Sequence, residues 1–313
     1  MEDLKVTAFK KSSDWMKRHA RPLEAARWEY NFEDGTKEQV LKCLKAFQND
    51  DGGFGHGIEP DFWLPQSSSM STWAAGQILI EVKADASDEM VQGMISYLVR
   101  TYDHETGMWP SVLPENNNYP HAPWWGWHEG VQENWMFNPG VELAAFLIHW
   151  SEENSEAASI GWASVEKAVD HLMNSNKMDF HEVNNFQEMI RMLEVRQETF
   201  NERVSFSYDA VTKQINDLAE KSAEKDPSDW ATGYKPLPLD FVNSPDDVLY
   251  ERFGPSLIER NLEFFFNQMT DEGTWDVSWD WGSYPKEFAI SRRYWQGILT
   301  VNRYKKLKSF GIE

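Results

Sequence analysis

The sequence predicts a single all-α domain spanning residues 1–313. Three observations lead there: apolar residues recur at helical spacing, strand-like alternation is scarce, and a Gly-x-aromatic segment returns along the chain. The periodicity places helices near 9–18, 36–48, 69–83, 88–102, 139–151, 156–174, 185–198, 205–224, 255–269 and 286–308. Several starts are readable. Ser87-Asp88-Glu89 precedes MVQGMISYLV, and Ser244-Pro245-Asp246-Asp247 puts acidic side chains where the helix dipole favours them. Asn138-Pro139 reads as an N-cap followed by proline at the first helical position. About ten to twelve helices without a sheet leave a bundle, a solenoid or a closed ring of hairpins.

The repeat narrows this choice. LKAFQNDDGGFG (44–55), YLVRTYDHETGMW (97–109) and FFFNQMTDEGTW (264–275) each run from an apolar helix end through Gln48, Tyr102 or Gln268 to acidic residues and Gly-x-aromatic. Phe54 and Trp109 are 55 residues apart, and Trp109 and Trp275 are 166 apart, close to three such units. A period of that length suits a helical hairpin with long loops. Each glycine supplies a positive φ that ends a helix, and the aromatic ring after it packs over the turn. The primary role expected of these residues is structural.

Composition bounds the function. The chain has 313 residues, 41% of them hydrophobic, with a formal net charge of −21. That charge repels nucleic acid and anionic lipid, so neither is an expected partner. No apolar stretch is long enough to span a bilayer, and the N-terminal MEDLKVTAFKKSSDWMKRHA lacks the apolar segment of a secretory signal. The single cysteine, Cys43 in VLKCLKAF, reads as a small buried hydrophobe, and a cytoplasmic location is the default expectation. The basic KRHARP segment, with Lys17, Arg18 and Arg21, reads as solvated. Sixteen tryptophans are the unusual feature, many of them beside Gly, Pro and Asn in loops or at helix ends.

The repeats resemble the Gln-Trp motifs of squalene and oxidosqualene cyclases. The stretch QNDDGGFGHGIEPDFWLPQSSSMSTWAAGQIL is more similar to a protein prenyltransferase β-subunit repeat: Gln48, Gly52, Gly53, Phe54, Gly55, Asp61, Thr72, Ala74 and Ala75 fill the motif positions. The resemblance covers about a third of the chain at motif level. It implies an α/α toroid whose central cavity is lined by aromatic rings. It also implies chemistry that this chain lacks the motifs for. There is no Asp-x-Asp-Asp acid motif and no Asp-Asp-x-x-Asp magnesium motif, and Asp246-Asp247-Val-Leu-Tyr-Glu251 reads as helix capping. Cys43 lies outside the context of the prenyltransferase zinc ligands, so protein prenylation is not expected.

Three loops carry candidate chemistry. In FGHGIEPDFW, His56, Glu59 and Asp61 lie within six residues on a Gly/Pro-punctuated loop; a carboxyl in a dry aromatic pocket keeps its proton and serves as a general acid. The segment 115–140 holds Tyr119, His121, Trp124, Trp125, Trp127, His128, Asn134 and Trp135. Its three clustered tryptophans cannot all face one core, so some are expected to line a cavity or binding surface, where their faces suit a carbocation or a sugar ring. The third, GTWDVSWDWGSYPKEF, contributes Trp279, Asp280 and Trp281. No metal and no cofactor are expected from the ligand spacing. The reading is a terpene-cyclase-like enzyme for an isoprenoid or other apolar small molecule, with Glu59 or Asp61 as acid and His121 as its partner. The alternatives are a carbohydrate-active toroid with paired carboxylates, Glu59 or Asp61 against Asp280, and a non-catalytic binding toroid.

Overall fold

Side chains that cap their own backbone open several of the helices. Thr36 and Gln39 form a reciprocal capping box, and the Oδ1 atoms of Asp88, Asp179 and Asp247 each accept from the N–H two residues on, at 2.9 Å. The computed structural model describes residues 2–312, with side chains from Thr7 onward. Its α-helices in chain order are α1 (Glu2–His19), α2 (Pro22–Phe32), α3 (Lys37–Leu44), α4 (Ser69–Glu81), α5 (Glu89–Thr101), α6 (Val131–Trp135), α7 (Gly140–Trp150) and α8 (Glu156–Met173). They continue with α9 (Phe180–Met192), α10 (Gln197–Arg203), α11 (Tyr208–Ser222), α12 (Pro238–Phe241), α13 (Val248–Phe253), α14 (Pro255–Asn267) and α15 (Pro285–Ser309). The class is all-α; among the described residues no strand forms. None of these helices is long and apolar enough to cross a membrane.

Each helix expected from periodicity is present, with three differences. The segment expected over 185–198 starts earlier, at Phe180, and breaks near Leu193 into a short 3₁₀ turn before α10. Helix α2 escapes the apolar pattern because two charged residues, Glu24 and Arg27, are buried on its inner face. Asn138 is not the cap of α7. That helix opens at Gly140, after Pro139, and the Asn138 side-chain oxygen accepts from Asn185 Nδ2 at 3.1 Å.

The chain groups into two compact units, residues 1–46 with 223–313, and residues 47–222. The first has an aromatic centre. Tyr304 meets Trp28 edge-on at 5.0 Å and Trp275 at 5.4 Å, and Phe9 and Phe32 complete the cluster. Arg21 is buried rather than solvated: its Nε and Nη2 donate to both oxygens of Glu24 at 2.6 and 2.8 Å. Cys43 is half-buried, and burial raises the pKa of its thiol.

The unit 47–222 is built around α7, whose side chains are buried along its length except at His149. Helices α4, α5, α8 and α9 pack on it. Helix α4 meets it tightly at Gly76, where a Cβ would stand 2.2 Å from the Phe146 ring.

The repeat turns share one hydrogen-bonding plan, with one extra residue in the turn at Gly107. Gly52, Gly107 and Gly273 have φ of 89°, 67° and 83°, and their N–H groups donate back to Asn49, Asp103 and Thr270 at 3.0, 2.8 and 2.9 Å. Those same three residues donate forward to the carbonyls of Gly53, Met108 and Thr274. The indoles of Trp109 and Trp275 then donate to Leu98 and Phe265 carbonyls in the last turn of the preceding helix, at 2.8 and 2.6 Å. Gln48 donates to Gly52 and Met90 carbonyls, both at 3.0 Å, tying its turn to the start of α5. A Cβ at Gly52 would stand 2.2 Å from the Gly93 carbonyl oxygen, besides straining the backbone. Gly52→Ala is therefore expected to cost about 2–4 kcal/mol in urea unfolding. Gly130→Ala, with a φ of 83° but open space around it, should cost only about 1–2 kcal/mol.

Candidate functional site

The loop after the first repeat folds onto the tryptophan-rich loop. Trp63 N–H donates to the Pro120 carbonyl at 3.1 Å and Ala122 N–H to the Asp61 carbonyl at 2.9 Å, so Phe62 stands opposite His121. This pairing places Asp61 and His121 on adjoining segments. Glu59 sits on the same turn, where its carbonyl accepts from Phe62 N–H at 3.2 Å. Glu59 and Asp61 are both buried, and His121 is half-buried with Nδ1 at 2.7 Å from the Tyr119 carbonyl oxygen. His56 stands apart from them in role: it is exposed, has a φ of 58°, and its Nε2 meets Asn49 Oδ1 at 2.9 Å.

The tryptophans divide. Trp125 is buried, edge-on to Phe62 at 5.9 Å and against Trp135 at 5.0 Å, and so packs as part of the loop's own core. Trp124 and Trp135 are half-buried, while Trp127 is 39% exposed. Asn117 holds the Trp127 backbone from both sides, at 2.9 Å each, so this ring is presented to solvent from a fixed position. Tyr119 is half-buried; His128 and Asn134 are exposed.

Trp279, Asp280 and Trp281 belong to the other unit. Trp281 is buried against Phe288 at 5.6 Å, and Trp279 lies between Tyr234 and Trp295, 5.3 Å from each. Asp280 Oδ1 accepts from Gly282 N–H at 2.6 Å, a turn-forming role. Among the described residues no three His, Cys, Asp or Glu side chains gather as a metal site.

A carboxyl with a strongly raised pKa in the unit 47–222 lies outside every motif of the sequence. Glu142, on the first turn of α7, is only 3% exposed. From α4, Trp73 Nε1 donates to Glu142 Oε2 at 2.6 Å and Gln77 Nε2 reaches both oxygens at 3.3 Å. Trp73 and Gln77 are one turn apart, which puts both donors on one helix face. From α9 come the charges of Glu188 and Arg191, paired with each other at 2.7 Å and both well exposed. Desolvation, reinforced by the Glu188 charge, raises the Glu142 pKa to about 8; the Trp73 and Gln77 hydrogen bonds and the Arg191 charge oppose it only in part. The sequence signal is in GVELAAFLIHW, where one carboxyl interrupts an otherwise apolar helix start.

The arrangement is a carboxylic acid that keeps its proton at neutral pH, held by donors on one helix and faced by a second carboxylate and a guanidinium from another. Gln77, Glu188 and Arg191 reach solvent, so Glu142 lies one side chain below the surface. Compared with family models, curated proteins and solved structures, the chain has no match in any of the three.

Proposed function

We propose that the protein is an enzyme that cleaves a carbon–oxygen bond in a sugar-like substrate by general acid catalysis, with Glu142 as proton donor and Glu188 as the second carboxylate. The observation that carries this reading is the buried Glu142, whose pKa is raised to about 8. Such a group is a weak acid. It is poorly suited to protonating an alkene, which demands a strong acid, and well suited to protonating an oxygen leaving group as it departs. Two carboxyls in unequal environments match the division of labour in glycoside cleavage, one giving a proton and the other acting on the sugar carbon or on water. Trp73 orients the acid through Oε2. Oε1 has only the long Gln77 contact and is the oxygen left to carry the proton toward substrate. Exposed Trp127 offers a stacking platform of the kind sugar rings use.

A second reading, acid-initiated cyclisation of an isoprenoid in an α/α toroid, is favoured by the three matching repeat turns and by their resemblance to cyclase repeats. In that reading Glu59 or Asp61, beside His121, supplies the proton.

One experiment separates the two. Wild-type protein and Glu142→Gln are incubated with a panel of neutral and acidic glycosides, and in parallel with farnesyl diphosphate, geranylgeranyl diphosphate and squalene, with products read by mass spectrometry. Glycoside cleavage lost in Glu142→Gln supports the first reading. A cyclised hydrocarbon or alcohol formed equally by both proteins would replace it with the second.

A further inference from the structure

Trp73, on α4, is bonded to the acid itself. Its Nε1 donates to Glu142 Oε2 at 2.6 Å, which holds the indole beside the group read above as proton donor. The residue is half-buried, so part of it reaches solvent. Trp125, Trp275 and Trp281 are packed against other rings. Trp73 meets no other aromatic ring among the described residues. An indole pinned at one edge and open on part of its surface loses little freedom when a flat apolar ligand face settles on it.

Gln77 stands one turn further along α4, on the same helix face, and is exposed. Its Nε2 reaches both oxygens of Glu142 at 3.3 Å. Its Oε1, an acceptor, bonds nothing among the described residues. The charges that act most strongly on Glu142 come from α9. They are Glu188 and Arg191, and these engage each other at 2.7 Å. What α4 offers beside the acid is therefore uncharged: an apolar ring and an open amide oxygen.

We propose that Trp73 and Gln77 bind the sugar unit whose bond is cut, and that this unit is a neutral pyranose. Its C–H face lies on the Trp73 ring and one of its hydroxyls donates to Gln77 Oε1. The inference rests on the general-acid reading of Glu142. Because the ring that carries the sugar is hydrogen-bonded to the acid, stacking also positions the scissile oxygen relative to Glu142 Oε1. An acidic sugar would add a negative charge beside Glu188, where Arg191 is already engaged.

The test uses the full chain as wild type, Trp73→Ala, Trp73→Phe and Gln77→Ala, with cellobiose, lactose, maltose and an aldobiouronic acid. Two readouts are taken at pH 6: kcat and KM for cleavage, and binding of the same sugars by tryptophan fluorescence. A neutral disaccharide is expected to be cleaved with a kcat/KM about tenfold or more above that of the aldobiouronic acid. Trp73→Ala should raise KM about tenfold or more, and Gln77→Ala about threefold to tenfold. Trp73→Phe keeps a ring and loses the N–H, so its KM should stay within about threefold of the wild type while kcat falls. A purely structural role for Trp73 would not split KM from kcat in this way. If Trp73→Ala does not fold, judged by circular dichroism, Gln77→Ala decides alone. A wild-type KM in folded Trp73→Ala or in Gln77→Ala, a preference for the aldobiouronic acid, or a KM raised by Trp127→Ala and not by Trp73→Ala would each overturn the proposal. Failure of the general-acid reading looks different. Cleavage that survives Glu142→Gln, or binding without cleavage, removes that reading and leaves the binding site standing if Trp73→Ala still weakens binding. No binding of any disaccharide by the wild type would overturn both.

Discussion

Glu142→Gln is expected to reduce turnover of any glycoside the wild type cleaves by about 10²–10⁴-fold, the usual worth of a positioned general acid. The amide keeps the shape of the protonated carboxyl and still offers an oxygen to Trp73, but it has no proton to give. Activity of the wild type should fall as pH rises through about 8, where Glu142 ionises, and the residual activity of Glu142→Gln should lose that limb. The same substitution has an opposite effect on stability. The pKa of Glu142 is raised in the folded protein above the 4.5 of an ordinary glutamate. Between those values the folded chain keeps a proton that the unfolded chain has released. The favourable contribution is therefore fully present below about pH 4.5 and is lost as pH rises through about 8, at a rate of ~1.4 kcal/mol for each tenfold fall in proton concentration. Glu142→Gln should gain on the wild type over that window and be the more stable protein above it. Urea midpoints at pH 5, 7 and 9, beside kcat/KM across the same range, measure both effects. A wild type whose relative stability does not change with pH would mean that Glu142 is not held in its acid form.

Trp109→Ala is expected to be the most damaging single change to the fold, at about 3–5 kcal/mol. The indole is 2% exposed, packs on Tyr102 at 5.3 Å and donates to the Leu98 carbonyl at 2.8 Å. Truncation leaves a large hole and an unpaired carbonyl at the end of α5. Trp109→Phe keeps most of the apolar volume and removes the N–H, so it should cost much less, about 1–2 kcal/mol. Urea unfolding of the two variants distinguishes packing from hydrogen bonding. A cost below about 1 kcal/mol for the alanine variant would remove the structural meaning assigned to the repeat.

The helices and the repeat turns are legible in the sequence because both are local. Amphipathic spacing, capping residues and a glycine at a fixed offset from an aromatic ring are set within a few residues, and the turns at Gly52, Gly107 and Gly273 match in their hydrogen bonds. Helix α2 is not legible, since its buried Glu24 and Arg27 read as surface charges; Arg21, just before the helix, pairs with Glu24. The site is half legible. The FGHGIEPDFW and tryptophan-rich loops meet, through Asp61 and Ala122. Motifs are dense clusters along the chain, and Glu142 is not in one: its partners Trp73, Gln77, Glu188 and Arg191 come from two other helices. A lone acid in an apolar helix is the sequence trace of such a group, and its partners appear only once the helices pack. The roles of Trp125 and Trp127, one buried and one exposed, are likewise set by packing rather than by spacing.

The two backbone bonds that join Asp61 and Trp63 to the tryptophan-rich loop close a stretch of about 60 residues, and that closure carries an entropic debt which grows with the length enclosed. Helices α4 and α5 lie inside the stretch and shorten it only after they have formed. The pairing of the loops is therefore expected to follow the helices in assembly. Local opening of the loops is expected to leave the buried α7 intact.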